Sequence, residues 1–108
     1  MELKEYQEKA IATAIYGAGA KIIYPALKLN GEAGEVAEKV GKVLRDNEGV
    51  FTDEIKLEIA KEIGDVLWYC AALAKDLGFD LNTIAEMNIA KLLDRQKRGV
   101  IQGSGDNR

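Results

Sequence analysis

Two pairs of acidic residues, Glu32 with Glu35 and Glu62 with Asp65, flank the polar stretch Asp46-Asn47-Glu48-Gly49 at nearly equal distances. The i, i+3 spacing places both members of a pair on one face of a helix, and the intervening stretch has the composition of a turn. Glu35 precedes Asp46 by 11 residues and Glu62 follows Thr52 by 10. At about 1.5 Å of rise per residue, each pair lies roughly 15 Å from the turn, so an antiparallel helical hairpin brings four carboxylates to one level. Converging acids repel one another unless a cation neutralises them. All-oxygen ligation suits a hard divalent ion, Mg²⁺ or Mn²⁺.

A plainer reading stands beside this one. Glu2, Glu5 and Glu8 repeat the spacing in an ordinary solvated helix, Glu54, Glu58 and Glu62 form an i, i+4 series, and acids number 18 in 108 residues. The two pairs differ from such a face in combining matched distances from one turn with the neighbouring glycines Gly31, Gly34 and Gly64. Each glycine inside a helix costs roughly 1 kcal/mol relative to alanine, so three of them predict close backbone approach there.

The elements that must position these acids are helical. Apolar periodicity predicts a first helix over residues 2–18 with a stripe of Leu3, Ala10, Ile11, Ala14 and Ala18, in whose middle Gln7 falls. A connector containing Gly17, Gly19 and Pro25 leads to a second helix ending near Arg45, with a core stripe of Leu29, Ala33, Val36, Val40 and Val43. Glu32 and Glu35 flank that stripe. The third helix, from about Thr52 to Leu77, opens on an N-cap and two acids that favour the helix dipole. Its stripe runs through Ile59, Ile63, Val66, Leu67, Cys70, Ala74 and Leu77, and from Val66 to Ala74 it is apolar on every face. So short a chain with such a segment predicts a subunit interface as well as a core. Gly78 stops this helix; a fourth begins near Asp80, with Thr83 and Glu86 spaced as a capping box. On the fourth helix Asn88, Lys91 and Arg95 interrupt or flank the apolar stripe of Leu81, Ile84 and Leu92.

Composition narrows the function. A net charge of −3 argues against an unaided nucleic-acid surface, which needs a basic patch. The polar N-terminus does not read as a signal peptide, and the longest apolar run, Val66–Ala74, is far short of the roughly 20 residues of a membrane span. A soluble, cytoplasmic protein with no membrane partner is expected. Cys70 is the one cysteine and no histidine is present, which removes internal disulfides, zinc hydrolases, Ser-His-Asp machinery and the Glu-x-x-His of di-iron bundles.

The segments Leu29-Asn30-Gly31-Glu32-Ala33-Gly34-Glu35-Val36-Ala37-Glu38 and Glu62-Ile63-Gly64-Asp65-Val66-Leu67-Trp68-Tyr69 resemble the MazG-like nucleoside triphosphate pyrophosphohydrolases of the all-α NTP pyrophosphatase superfamily. The resemblance extends from Tyr6-Gln7 to Arg98 and fits the short single-domain members. It implies an all-α, four-helix MazG domain over residues 1–98 that assembles as a homodimer or homotetramer, followed by a flexible glycine-rich tail, 99–108. It implies Glu32, Glu35, Glu62 and Asp65 as metal ligands, with Glu35 also the candidate base. Asn88, Lys91 and Arg95 match positions that take the substrate's phosphates and sugar, and Gln7 matches part of a base pocket. The ending Gly103-Ser104-Gly105-Asp106-Asn107-Arg108 also looks like that of short MazG-like chains, and could carry Arg108 onto bound triphosphate. The implied reaction is Mg²⁺-dependent hydrolysis, with Mn²⁺ as an alternative, of a nucleoside triphosphate between the α and β phosphates, serving nucleotide-pool housekeeping.

Taken one at a time, Gln7 and Asn88 read equally well as satisfied buried amides, Lys91 and Arg95 as surface charges with packed stems, and Trp68 and Tyr69 as packing. Two other functions fit the pattern: a helical interaction module without activity, or a same-fold enzyme acting on dUTP or on phosphoribosyl-ATP.

Overall fold

The computed structural model describes residues 1–108 and is all-α. Its elements are α1 (Leu3–Ile11), a single 3₁₀ turn (Ala18–Ala20), α2 (Ile23–Asp46), α3 (Asp53–Leu77) and α4 (Leu81–Arg98). The two long helices form the expected hairpin. The Asn47 and Gly49 amides both donate to the Val43 carbonyl, and Glu48 and Gly49 take φ of 55° and 75° to reverse the chain. Thr52 caps α3 by accepting from the Ile55 amide at 3.2 Å, and Gly78 ends it at φ 88°.

The first helix is shorter than its periodicity predicts. After Ile11 the amides of Thr13 and Ala14 bond three residues back, and the Thr13 hydroxyl donates to the Ala10 carbonyl at 2.7 Å. A threonine competing for the backbone, followed by Gly17 and Gly19, ends the helix there, so Ala14 and Ala18 leave its stripe. α2 begins two residues before Pro25, because a proline in the first turn loses no intrahelical hydrogen bond. The cap of α4 is Asp80, whose Oδ1 accepts from the Thr83 amide at 2.8 Å. Thr83 is therefore a first-turn residue and the capping box does not form.

The densest packing lies where α1, the C-terminal half of α3 and the start of α4 meet. Ala10, Ala71, Ala74 and Leu81 form its core, with Tyr6, Trp68 and Cys70 packed against them. Small residues let the helices approach closely, and the Gln7 amide ties all three together: Nε2 donates to the Ala71 and Phe79 carbonyls, both at 3.1 Å, and Oε1 accepts from the Leu81 amide at 3.1 Å. Cys70 sits beside this core, and burial pushes its thiol up. The α1–α2 connector is fastened to α3 by Asp76, which accepts from the Tyr16 hydroxyl at 3.0 Å and from the Ile22 amide at 2.8 Å. Ile22 is held at φ 69°, a costly backbone state for a β-branched residue.

Away from this junction the chain is open. Of the stripe expected for α2 only Val43 is buried, and Ile63 and Leu77 of the α3 stripe are more than half exposed. The radius of gyration is 16.7 Å, against about 13 Å for a compact chain of this length. A Cβ built on Gly31, Gly34 or Gly64 would meet no atom within 4 Å, so the close backbone approach expected there does not occur within one chain. No helix is long and apolar enough to cross a membrane.

Candidate metal centre

Glu32 and Glu35 project from the middle of α2 toward Glu62 on α3, and one carboxylate oxygen from each lies within 4.8 Å of the others. The hairpin register alone achieves this, because both partners are about equally far from the turn. Asp65, one helical turn beyond Glu62, stands outside this triad. It lines with Glu32, Trp68 and Tyr69 a cavity of about 340 Å³, and its charge reaches Glu62. The structure thus joins three of the four expected acids and sets the fourth at the edge of the same space.

The electrostatics are those of a site short of positive charge. Burial pushes the Glu62 carboxyl above the usual range, and the facing Glu35 adds to the effect by hydrogen bond when the pair shares a proton and by charge when it does not. Lys39 opposes the shift, its Nζ lying 3.7 Å from Glu62 and 4.0 Å from Glu58. Lys28 stands 4.0 Å from Glu32. Two lysines at such distances do not saturate three carboxylates, and Glu62 Oε2 is buried without a hydrogen-bond partner. A buried, unpartnered carboxylate oxygen among converging acids fits a hard divalent cation, for which this donor set is suited. Glu32, Glu35 and Glu62 would hold it.

Beside the acids lies an aromatic chamber that the sequence did not announce. Thr13, Ile15, Tyr16, Tyr24, Trp68 and Tyr69 line an open cavity of about 430 Å³, and Trp68 and Tyr69 also wall the cavity of Glu32 and Asp65. Tyr16 and Tyr24 pack with ring centroids 5.4 Å apart, Tyr24 and Tyr69 at 6.2 Å, and Trp68 and Tyr69 at 4.8 Å. The Trp68 indole N–H donates to the Thr13 hydroxyl at 2.9 Å. Burial, with the Tyr24 phenol beside it, pushes Tyr69 up to about 12. The signal available in the sequence was that Tyr16, Tyr24, Trp68 and Tyr69 cluster around the connector and the apolar end of α3; read singly, each looks like packing.

The remaining expected residues lie elsewhere. Gln7 spends both N–H donors and its carbonyl on the main chain of the helical junction, so its amide is the satisfied buried group. Asn88 is exposed and lines with Ile84, Met87 and Lys91 a cavity of about 240 Å³ on α4. None of Asn88, Lys91 and Arg95 lines either cavity beside the acids. Lys91 Nζ and Arg95 Nη2 instead hold the Asp106 carboxylate at 3.1 and 3.3 Å. Residues 99–108, expected as a flexible tail, lie folded on α4, with the Arg108 guanidinium donating to the carbonyls of Val100, Ile101 and Gly105.

The fold is an all-α helical hairpin that gathers three carboxylates beside a cluster of aromatic rings. The chain belongs to the MazG nucleotide pyrophosphohydrolase family, whose domain matches residues 25–100. The match runs from the first turn of α2 through α3 and α4 to Val100 and leaves out α1, the connector and residues 101–108. Members of this family generally depend on a divalent metal. The Gene 37 protein of Mycobacterium phage L5 is 49% identical over an alignment of 114 residues that covers all of both chains. No solved structure matches.

Proposed function

We propose that this protein is a divalent-metal-dependent pyrophosphohydrolase that cleaves nucleoside or deoxynucleoside triphosphates between the α and β phosphates, releasing monophosphate and pyrophosphate. The observation that carries this reading is the convergence of Glu32, Glu35 and Glu62, with Glu62 Oε2 left unpartnered, in a chain of the MazG family. Held there, Mg²⁺ or Mn²⁺ would supply Lewis acidity to the phosphate oxygens and lower the pKa of a bound water. Asp65, at the edge of the cluster, completes the acidic wall. Glu35 is exposed on α2 and is assigned the proton of the attacking water. The aromatic faces of Trp68, Tyr69 and Tyr24 suit a base, which any π-face can stack. Lys91 and Arg95, which lie on α4 outside the two cavities beside the acids, are assigned to the charge of the phosphate chain, with Asn88 beside them.

The exposed apolar residues of α2, α3 and α4, among them Leu27, Leu44, Ile63 and Leu93, support assembly into a homo-oligomer, which would bury them. In this reading the enzyme works in the cytoplasm on the nucleotide pool.

The test is product analysis with a panel of standard and damaged dNTPs, dUTP and phosphoribosyl-ATP, in Mg²⁺ and in EDTA. Metal-dependent release of pyrophosphate is expected, and the ranking of substrates defines the pocket. If no nucleotide yields pyrophosphate and Mg²⁺ leaves the melting temperature unchanged, the enzyme reading fails and the helical interaction module replaces it.

A further inference from the structure

The last nine residues form a knot around their own arginine. Gly99 leaves α4 at φ 75°, and Gly103 and Gly105 take φ of 146° and 82°, conformations that other residues rarely adopt. The Arg108 guanidinium then bonds three tail carbonyls at 3.1, 2.9 and 2.6 Å, and Arg98 Nη2 holds the Arg108 carbonyl oxygen at 2.6 Å. The knot has one electrostatic result: it sets the Asp106 carboxylate between Lys91 and Arg95.

Arg95 is only 4% exposed, and a buried cation needs an anion close by. Asp106 is that anion, and the Asp106 and Gly105 carbonyls also accept from Arg95 Nη2, at 2.8 and 3.4 Å. The fit is incomplete. Arg95 Nε is buried with no hydrogen-bond partner, while the Asp106 side chain is 82% exposed. A carboxylate offers one charge and two oxygens, where a polyphosphate offers several of each.

We propose that Asp106 is a tethered stand-in for a phosphate oxyanion, docked on the Lys91–Arg95 pair until a polyphosphate displaces it and frees the tail, Arg108 included. The proposal rests on the reading of that pair as a phosphate site. Tethering gives the carboxylate a high effective concentration, so anions of low charge compete with it poorly and the pair discriminates in favour of polyphosphates.

The test is calorimetric titration of inorganic tripolyphosphate in EDTA, where the acidic triad has no metal with which to bind it, into wild type, Asp106→Ala, Asp106→Asn, Lys91→Ala and the Asp106→Ala/Lys91→Ala double variant. Removing the carboxylate is expected to tighten binding about tenfold, with Asp106→Asn showing the same direction and the double variant losing the gain. Equal or weaker binding by both Asp106 variants, with Lys91→Ala still weakening it, would overturn the stand-in and leave the phosphate site. If Lys91→Ala changes nothing in either background, or tripolyphosphate binds none of the proteins, the phosphate-site reading fails and the stand-in with it.

Discussion

The helical junction and the α2–α3 hairpin are built on opposite terms. At the junction, alanines and Leu81 are buried, Gln7 satisfies three main-chain groups, and no buried side-chain oxygen or nitrogen is left without a partner. Along the hairpin, one valine is buried on α2, carboxylates face one another, and Glu62 keeps an unpartnered buried oxygen. Burial is concentrated at the junction, and the proposed metal chemistry sits where charge repulsion opposes folding. Changes in the two regions therefore have separable consequences.

The largest effect belongs to the hairpin. Glu35→Gln is expected to lower pyrophosphate release by about 10²–10⁴-fold, the usual worth of a positioned base, while the metal-free melting temperature stays at or above that of wild type. Loss of fold instead would break the separation. At the junction the pattern reverses: Gln7→Leu strands two carbonyls and an amide and is expected to cost at least about 2 kcal/mol by denaturant titration, with kcat of the folded fraction little changed. Thr52→Ala removes the α3 cap at the turn end of the hairpin, ten residues before Glu62, for about 1 kcal/mol and no change in activity.

The smallest effects are those of pH, and their signs differ between the acidic centre and the tail. The Glu62 carboxyl is raised in the folded, metal-free protein. Its contribution is present below the ordinary carboxyl pKa and is lost as pH rises through the raised one, so the melting temperature is expected to decline over that window. Asp106 is lowered by Lys91 first and Arg95 second. Its contribution is present above the ordinary range and is lost as pH falls through the lowered value, which amide exchange in residues 100–108 would report. The same sign for both would remove the electrostatic contrast.

What the sequence could show follows from the range of each interaction. The hairpin was legible because helix period and turn residues are local, and two equal spacings suffice to bring Glu32 and Glu35 to Glu62. The displacement of Asp65 from the triad was not, since side-chain reach across a helix pair depends on packing. The end of α1 was lost to one threonine hydroxyl, Thr13, which no hydrophobic period encodes. Gln7 was visible as a polar residue in an apolar stripe, but its partners lie 64 to 74 positions away. The aromatic chamber and the Asp106 clasp are likewise made by contacts between distant residues or by a glycine-dependent reversal.

The most direct test of the account is the shift in melting temperature on adding Mg²⁺, measured for wild type and Glu62→Gln. A cation that neutralises the triad binds the folded protein alone and stabilises it, so wild type is expected to melt higher with Mg²⁺ and Glu62→Gln is not, while melting no lower than wild type in EDTA. An equal response to Mg²⁺ in both proteins, or a Glu62→Gln protein that is already destabilised in EDTA, would contradict it.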